Sequence, residues 1–372
     1  MPALTRQACQ ALDAQDPLRP LRDLFELPEG LIYLDGNSLG AAPKATAARL
    51  ARAVREEWAQ GLIRSWNEAG WYELPRRAGD KLAPFIGARP GEVVCTDTTS
   101  VNLHKALSAA LALATQDAPQ RRRVIGERSD FPTDLYIAQA LCQERAYTLQ
   151  LVDAKDIPGI LASEAGQDVA VLMLTHVNYR SGAMHDMQAL TAAAHAAGAL
   201  TVWDLCHSAG AVPVDLHGAD ADYAVGCSYK YLNGGPGAPA FIWSHPRLEA
   251  HLRSPFQQPL TGWWSHAQPF AFTPEYQPAT GSARFLCGTP PILSMTALDC
   301  GLDTLVAAEP FGGMSALRAK SLALTDLFIR LVEERCGGHG LTLITPREHR
   351  SRGSQVSLSR AEGAYAIVQA LI

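Results

Sequence analysis

The chain reads as an α/β protein built around a mainly parallel sheet, and three observations carry that reading. The apolar run at 169–174 is continuous, as a strand buried on both faces requires, and 200–205 reads as the next buried strand. Between them lies an alanine-rich segment, 187–197, ended by Gly198, so strand, helix and strand make one βαβ unit. At 372 residues the chain is long enough for one large α/β domain and a smaller one.

Composition narrows the possible functions. The chain is 47% hydrophobic and 19% charged, ordinary for a globular protein. A net charge of -5 supplies no basic field for nucleic acid or anionic lipid. No apolar run reaches bilayer length, and the acid-containing N-terminus lacks the apolar region of a secretory signal. Eight cysteines without a C-x-x-C pair read as buried thiols in a reducing compartment, so a cytoplasmic location is expected. His176, His185, His195 and His207 show no metal-ligand spacing, and no metal is expected. No G-x-G-x-x-G opens a βαβ unit, which leaves a nicotinamide site unsupported.

In chain order, Pro17, Pro20 and Pro28 break up the first thirty residues. A short strand is expected over 31–35, followed by the loop Gly36-Asn37-Ser38-Leu39-Gly40, either a turn or a place where backbone approaches a ligand. Leu50, Val54 and Trp58 recur every fourth residue, which predicts a helix over 44–58 with one buried face. Aromatics at 65–72 lack periodicity and serve either packing or a pocket. A strand at 93–96 runs into Asp97-Thr98-Thr99-Ser100 and a helix at 101–114. That hydroxyl-rich helix start is either an ordinary N-cap or a site for an anion such as phosphate. Next come a strand at 124–125, Phe131-Pro132-Thr133-Asp134, a helix at 135–142 and the βαβ unit. Thr96, Thr175 and Asp204 fall at strand ends, where parallel sheets place their ligands. Beyond 243 the chain is irregular and aromatic, then helical over 295–307 and 314–336, with strand patterns at 341–344 and 355–358.

The stretch 201–241 concentrates the chemistry. Asp204 ends one apolar run, His207 follows, and a second run ends at Tyr229-Lys230 before the glycine-rich 233–237. Taken alone, Lys230 reads as a solvated lysine beside a turn, because lysine is seldom buried without a partner. In company with Asp204, His207 and Tyr229 it reads as an amine kept for an aldehyde cofactor, whose pyridine nitrogen needs an acid such as Asp204.

Seven motifs now stand in one order: Gly-Asn-Ser-Leu-Gly (36–40), Thr-Ser-Val-Asn-Leu-His (99–104), Phe-Pro-Thr-Asp (131–134), Asp-Leu-Cys-His (204–207), Ser-Tyr-Lys-Tyr-Leu-Asn (228–233), Gly-Trp-Trp-Ser-His (262–266) and Pro-Pro-Ile (290–292). Over about 31–295 the chain resembles kynureninase, a pyridoxal-phosphate (PLP) enzyme of the fold-type I aminotransferase group. The resemblance implies a large PLP-binding domain over 31–294 with an aspartate aminotransferase-like sheet. It also implies an N-terminal segment, 1–30, and a smaller α+β C-terminal domain over 295–372. That last domain reads as incomplete, because the chain stops inside a helix where another strand is needed, before the family's arginine for the substrate carboxylate.

By resemblance, Lys230 bonds the cofactor, Asp204 pairs with its pyridine nitrogen, Phe131 stacks on its ring and His207 helps hold Asp204. Thr99, Ser100, Pro132, Thr133, Asp134, Thr175 and Tyr229 surround it, and Tyr229 is the matching catalytic acid. Trp263 and Thr289 match positions that arrive from a neighbouring subunit, implying a homodimer with shared sites. Ser38 and Trp66 match substrate positions. Thr289 stands where many family members have Asn, and bulky Trp66 favours kynurenine over its 3-hydroxy form. The implied reaction, part of tryptophan catabolism, is hydrolysis of kynurenine to anthranilate and L-alanine.

Overall fold

The computed structural model describes residues 5–372. Its central sheet comprises β1 Val93–Cys95, β2 Arg123–Glu127, β3 Thr148–Val152, β4 Val169–Thr175, β5 Leu200–Asp204, β6 Tyr223–Gly226 and β7 Phe241–Ser244. Across the sheet the order is β1-β7-β6-β5-β4-β2-β3. Pairing is parallel from β6 through to β3, and β7 alone runs against its neighbours. β1 is antiparallel to β7, so it points the same way as β6. The carboxyl ends of all strands except β7 therefore share one edge.

Both faces of the sheet are apolar, and alternation divides the side chains between two cores. Val171 and Met173 of β4 face one side with Val202 and Ile242, while Leu172 and Leu174 face the other with Trp203, Phe241 and Trp243. Helices α1 Leu74–Leu82, α2 Thr99–Asp117, α3 Pro132–Glu144, α4 Met187–Ala197 and α5 Ile292–Val306 supply the outer layers. Leu103, Leu107 and Leu111 of α2 and Leu141 of α3 cover the first face. Leu82 of α1, Ala194 of α4 and Leu298 of α5 lie in the core of the second. Each such leucine contributes on the order of 1.5–3 kcal/mol by leaving water, so these layers anchor the strand ends that carry the site. Met295, Leu298 and Leu302 are fully buried in that second core, so α5 packs against the central sheet.

Helix boundaries follow local chemistry. Thr98 caps α2 by accepting the Val101 N–H at 3.3 Å. Asp186 caps α4 in the same way, and Gly198 ends it in the left-handed region at φ 81°.

The structure corrects two sequence expectations. No strand forms over 31–35. Phe25–Glu26 pairs instead with Ala42–Pro43, which makes the segment between them a loop and leaves Leu31, Ile32 and Leu34 exposed. The helix expected over 44–58 is α-helical only through Ala45–Arg52 and continues with wider, π-type turns through Ala53–Gly61. Of residues 45–61 only Ala53 is buried, and Val54 and Trp58 are exposed because the face that carries them meets no other element of the chain. Besides the short pair Phe25–Glu26 and Ala42–Pro43, the sequence reading missed β3, on the edge of the central sheet, with a half-buried Thr-Leu-Gln-Leu-Val pattern.

The C-terminal part contains α6 Gly313–Cys336, a two-stranded pairing of Thr342–Leu343 with Leu358–Ser359, and a helix, Ala364–Leu371. Arg318 of α6 donates to the carbonyls of His349 and Gly353, both at 2.9 Å, and so shapes the 349–355 loop. Ser354 Oγ donates to the Ala211 carbonyl at 2.8 Å, and Gln355 Nε2 to that of Tyr179 at 2.7 Å. The loop is thereby docked beside the carboxyl edge of the sheet.

Candidate active site

A cavity of about 180 Å³ opens at the shared carboxyl edge. Its walls are chemically distinct because each comes from a different strand end.

The acid wall holds Asp204, the last residue of β5, and Asp134, in the first turn of α3, both buried. Asp204 Oδ1 accepts the Cys206 N–H at 2.7 Å, a bond that fixes the carboxylate against its own strand. Burial, then the neighbouring Asp204 and Asp130, push the Asp134 carboxyl well above its ordinary range, against the pull of Lys230. Two carboxyls buried side by side cannot both ionise freely, which is the cause of that rise. Behind it, burial and then Glu127 push Asp130 up to about 7. Asp130 accepts the backbone N–H groups of Thr175 and Glu127, both at 3.2 Å, and holds β2 and β4 in step at the site.

The amine wall follows β6. Lys230 Nζ lies 2.8 Å from His207 Nε2. Burial, then the Lys230 charge, bring His207 down to about 4, so the imidazole is neutral and accepts at Nε2. Burial opposes the charge on Lys230, but Cys206, Cys227, Tyr229 and Asp204 together outweigh it and raise the amine above its ordinary value. The Lys230 ammonium is 5.6 Å from the centre of the Tyr229 ring. Burial, then Cys227, raise the Tyr229 phenol, with Lys230 opposing, so it keeps its proton at neutral pH.

The hydroxyl wall is the start of α2, where Thr98, Thr99 and Ser100 line the cavity. The first N–H groups of a helix have no intrahelical acceptor, so this wall suits an anion. Thr99 Oγ1 meets Cys206 Sγ at 3.5 Å, linking the hydroxyl wall to the acid wall. Thr175 Oγ1 and His207 Nδ1 are buried beside Asp130 and Gln355 respectively, without a hydrogen bond of full geometry. Phe131 stands half-exposed at the mouth, edge-on to Tyr179 with ring centres 5.1 Å apart.

Gly40 has a defined task here. Its N–H donates to the Tyr229 carbonyl at 2.8 Å, and a Cβ in its place would come within 2.3 Å of the Lys230 carbonyl oxygen. The Gly-Asn-Ser-Leu-Gly loop thus lets backbone approach the lysine segment.

Most of the sequence-derived residues converge: Thr99, Ser100, Phe131, Thr133, Asp134, Thr175, Asp204, His207, Tyr229 and Lys230 all line the cavity. Pro132 does not; it is the first residue of α3, where its missing N–H costs nothing. His207, expected to hold Asp204, is hydrogen-bonded to Lys230 instead, and the Cys206 N–H holds the acid. Ser38, Trp66, Trp263 and Thr289 lie outside the lining. Ser38 Oγ donates to Asp35 Oδ1 at 2.8 Å. Trp66 and Trp263 share one aromatic cluster through Trp264, at 5.4 and 4.6 Å between ring centres. The lining also includes Thr98, which belongs to the hydroxyl-rich helix start expected from sequence, and two residues outside the expected set, Tyr179 and Cys206. Thr98 and Cys206 sat inside motifs already noted, whereas Tyr179 reaches the site only because its loop folds back beside Phe131.

Comparison with known proteins extends the resemblance to nearly the whole chain. The kynureninase C-terminal domain profile matches residues 317–372. A kynureninase from Pseudomonas fluorescens is 59% identical over 370 residues, 99% of this chain and 86% of the relative. One from Burkholderia pseudomallei strain 1106a is 57% identical over 371 residues, with the same coverage of both. Among solved structures, the apo cysteine desulfurase from Thermococcus onnurineus NA1 superimposes with a TM-score of 0.75 at 20% identity. It covers 94% of this chain and 84% of its own, a likeness of fold.

Proposed function

The chain belongs to the kynureninase family, and from that premise we propose that the cavity around Lys230 is the seat of its reaction. The protein is a PLP-dependent hydrolase that cleaves L-kynurenine at the Cβ–Cγ bond, giving anthranilate and L-alanine. One observation carries the assignment of the site: the amine, the acid pair and the hydroxyl-lined helix start converge on one cavity from separate strand ends.

The residues present fit PLP. Thr98, Thr99 and Ser100 at the start of α2 would hold the phosphate, Asp204 the pyridine nitrogen, and Thr175 Oγ1, which lacks a hydrogen bond of full geometry, a polar group of the ring. Phe131 at the mouth is the aromatic face available to the ring. When bound, PLP supplies an electron sink that makes the substrate's α-proton removable. Lys230 Nζ, hydrogen-bonded to the neutral His207 Nε2, is the amine that would hold the cofactor's aldehyde end and the base that would take the substrate's α-proton. Asp204, fixed by the Cys206 N–H, is the acid that would face the ring nitrogen, and Asp134, its carboxyl pushed up by burial and by Asp204, lies beside it. Tyr229 holds a phenolic proton beside the lysine and is the acid that would protonate the alanine product's Cβ.

Trp263 and Thr289 belong in this reading to the neighbouring subunit's site, and the protein acts as a homodimer. Both residues are exposed outside their own cavity. Trp58, Ile63, Trp263, Phe270 and Phe272 expose apolar surface of the kind that subunit contacts cover. A cytoplasmic location is supported by all eight cysteines being free thiols. Preference for unsubstituted kynurenine rests on Trp66, whose ring belongs to the same aromatic cluster as Trp263.

The test is direct. Purified protein, PLP and kynurenine should yield fluorescent anthranilate with equimolar alanine, and absence of both products would sink the reading. Running the assay with 3-hydroxykynurenine measures the preference, and sedimentation measures the dimer.

A further inference from the structure

Lys105 lies in α2 and is fully buried, an unusual place for a lysine. Its Nζ is 2.6 Å from Asp97 Oδ2 and 2.5 Å from the carbonyl oxygen of Phe285. Thr96 Oγ1 donates to the same Asp97 oxygen at 2.9 Å. Asp97 immediately precedes Thr98, the N-cap of α2, and is held in the left-handed region at φ 48°. Ala240 N–H donates to its carbonyl at 2.9 Å, so the residue is pinned from both backbone and side chain.

Packing alone does not account for where this pair sits. A carboxylate at a helix N-terminus is attracted by the same positive pole that binds a phosphate, so the two compete. Asp97 is one residue from the hydroxyl wall, where an uncompensated negative charge would repel an incoming dianion. Lys105 meets the Asp97 oxygen from inside the helix and balances its charge without occupying the cavity, since neither residue is part of the lining.

We infer that Lys105 is a positioning residue whose ion pair with Asp97 sets the affinity of the hydroxyl wall for the phosphate group. The inference rests on the reading of that wall as the phosphate end of a PLP site. At separations of several ångströms and a partly buried dielectric, removing the balancing charge weakens phosphate binding by about tenfold or more.

The experiment titrates the full-length protein with PLP and, separately, with pyridoxal, which lacks the phosphate, following visible absorbance. Lys105→Met is expected to weaken PLP by about tenfold or more while leaving pyridoxal within about threefold of wild type. Asp97→Asn, which retains a residue tolerant of positive φ, is expected to bind PLP as tightly as wild type or more tightly. The double variant should return toward the wild-type value. Equal weakening of PLP and pyridoxal by Lys105→Met would overturn the inference, as would weakening of PLP by Asp97→Asn. Should Lys105→Met fail to fold, the sign of the Asp97→Asn effect decides alone. Wild-type protein that does not distinguish PLP from pyridoxal would instead overturn the phosphate reading of the wall itself.

Discussion

Nζ of Lys230 lies 2.8 Å from Nε2 of His207, and the proton belongs to the lysine. His207 sits at about 4, pushed down by burial and by the lysine charge, while the groups around Lys230 raise the amine against the pull of burial. An ammonium cannot attack an aldehyde, so the pair holds the nucleophile in its resting, protonated form.

This relationship makes cofactor capture pH-dependent. A pKa raised above the ordinary lysine value leaves only a small neutral fraction, which grows about tenfold per pH unit below that pKa. Capture of PLP, followed by stopped-flow absorbance, should therefore accelerate steeply between about pH 7 and 9. A flat profile would show Lys230 already neutral. Lys230→Ala should remove the visible band of the lysine-bound cofactor altogether, and an unchanged band would refute Lys230 as its attachment point.

Tyr229 combines a retained phenolic proton with a place beside Lys230, the requirements for an acid. Tyr229→Phe should lower kcat by about a hundredfold while changing the dissociation constant for PLP by less than about threefold. Equal loss of both would identify the hydroxyl as a cofactor anchor.

Gly40 is required by contact, since its N–H donates to the Tyr229 carbonyl and a Cβ would collide with that of Lys230. Gly40→Ala should lower stability by about 1–3 kcal/mol, read from the urea midpoint, because the loop or the lysine segment must shift. An unchanged midpoint would show that the loop yields without cost.

If Trp263 serves the neighbouring subunit, two inactive variants should rescue each other. Lys230→Ala and Trp263→Ala homodimers are each expected to lose most activity. Mixed and reassembled, they should regain about a quarter of the wild-type activity, because half the dimers are hybrids with one intact site of two. No recovery beyond the parents would place Trp263 in its own subunit's site.

Much of the site was legible because its residues lie at the ends of apolar runs, where hydrophobic patterning is strongest. Asp204, Thr175 and Lys230 follow buried strands or lie at their ends, and chain order alone brings such ends to one edge of a parallel sheet. Val54 and Trp58 misled because a four-residue spacing marks an apolar stripe without showing that another element covers it, and here only Ala53 is buried. Residues 31–35 misled because an apolar run resembles a strand whether or not a partner strand is available.

The sequence by itself determined the parallel sheet, the identity of the acid, amine and hydroxyl groups, and the strand ends that deliver them, since these follow from periodicity and residue type. Only the tertiary structure decided which groups pair. His207 takes the hydrogen bond of Lys230, the Cys206 N–H fixes Asp204, and Lys105 reaches back to Asp97. Such pairings depend on distances of about 3 Å between side chains brought together by different elements, and on the burial that sets their protonation. Neither quantity is encoded in any local stretch of the chain.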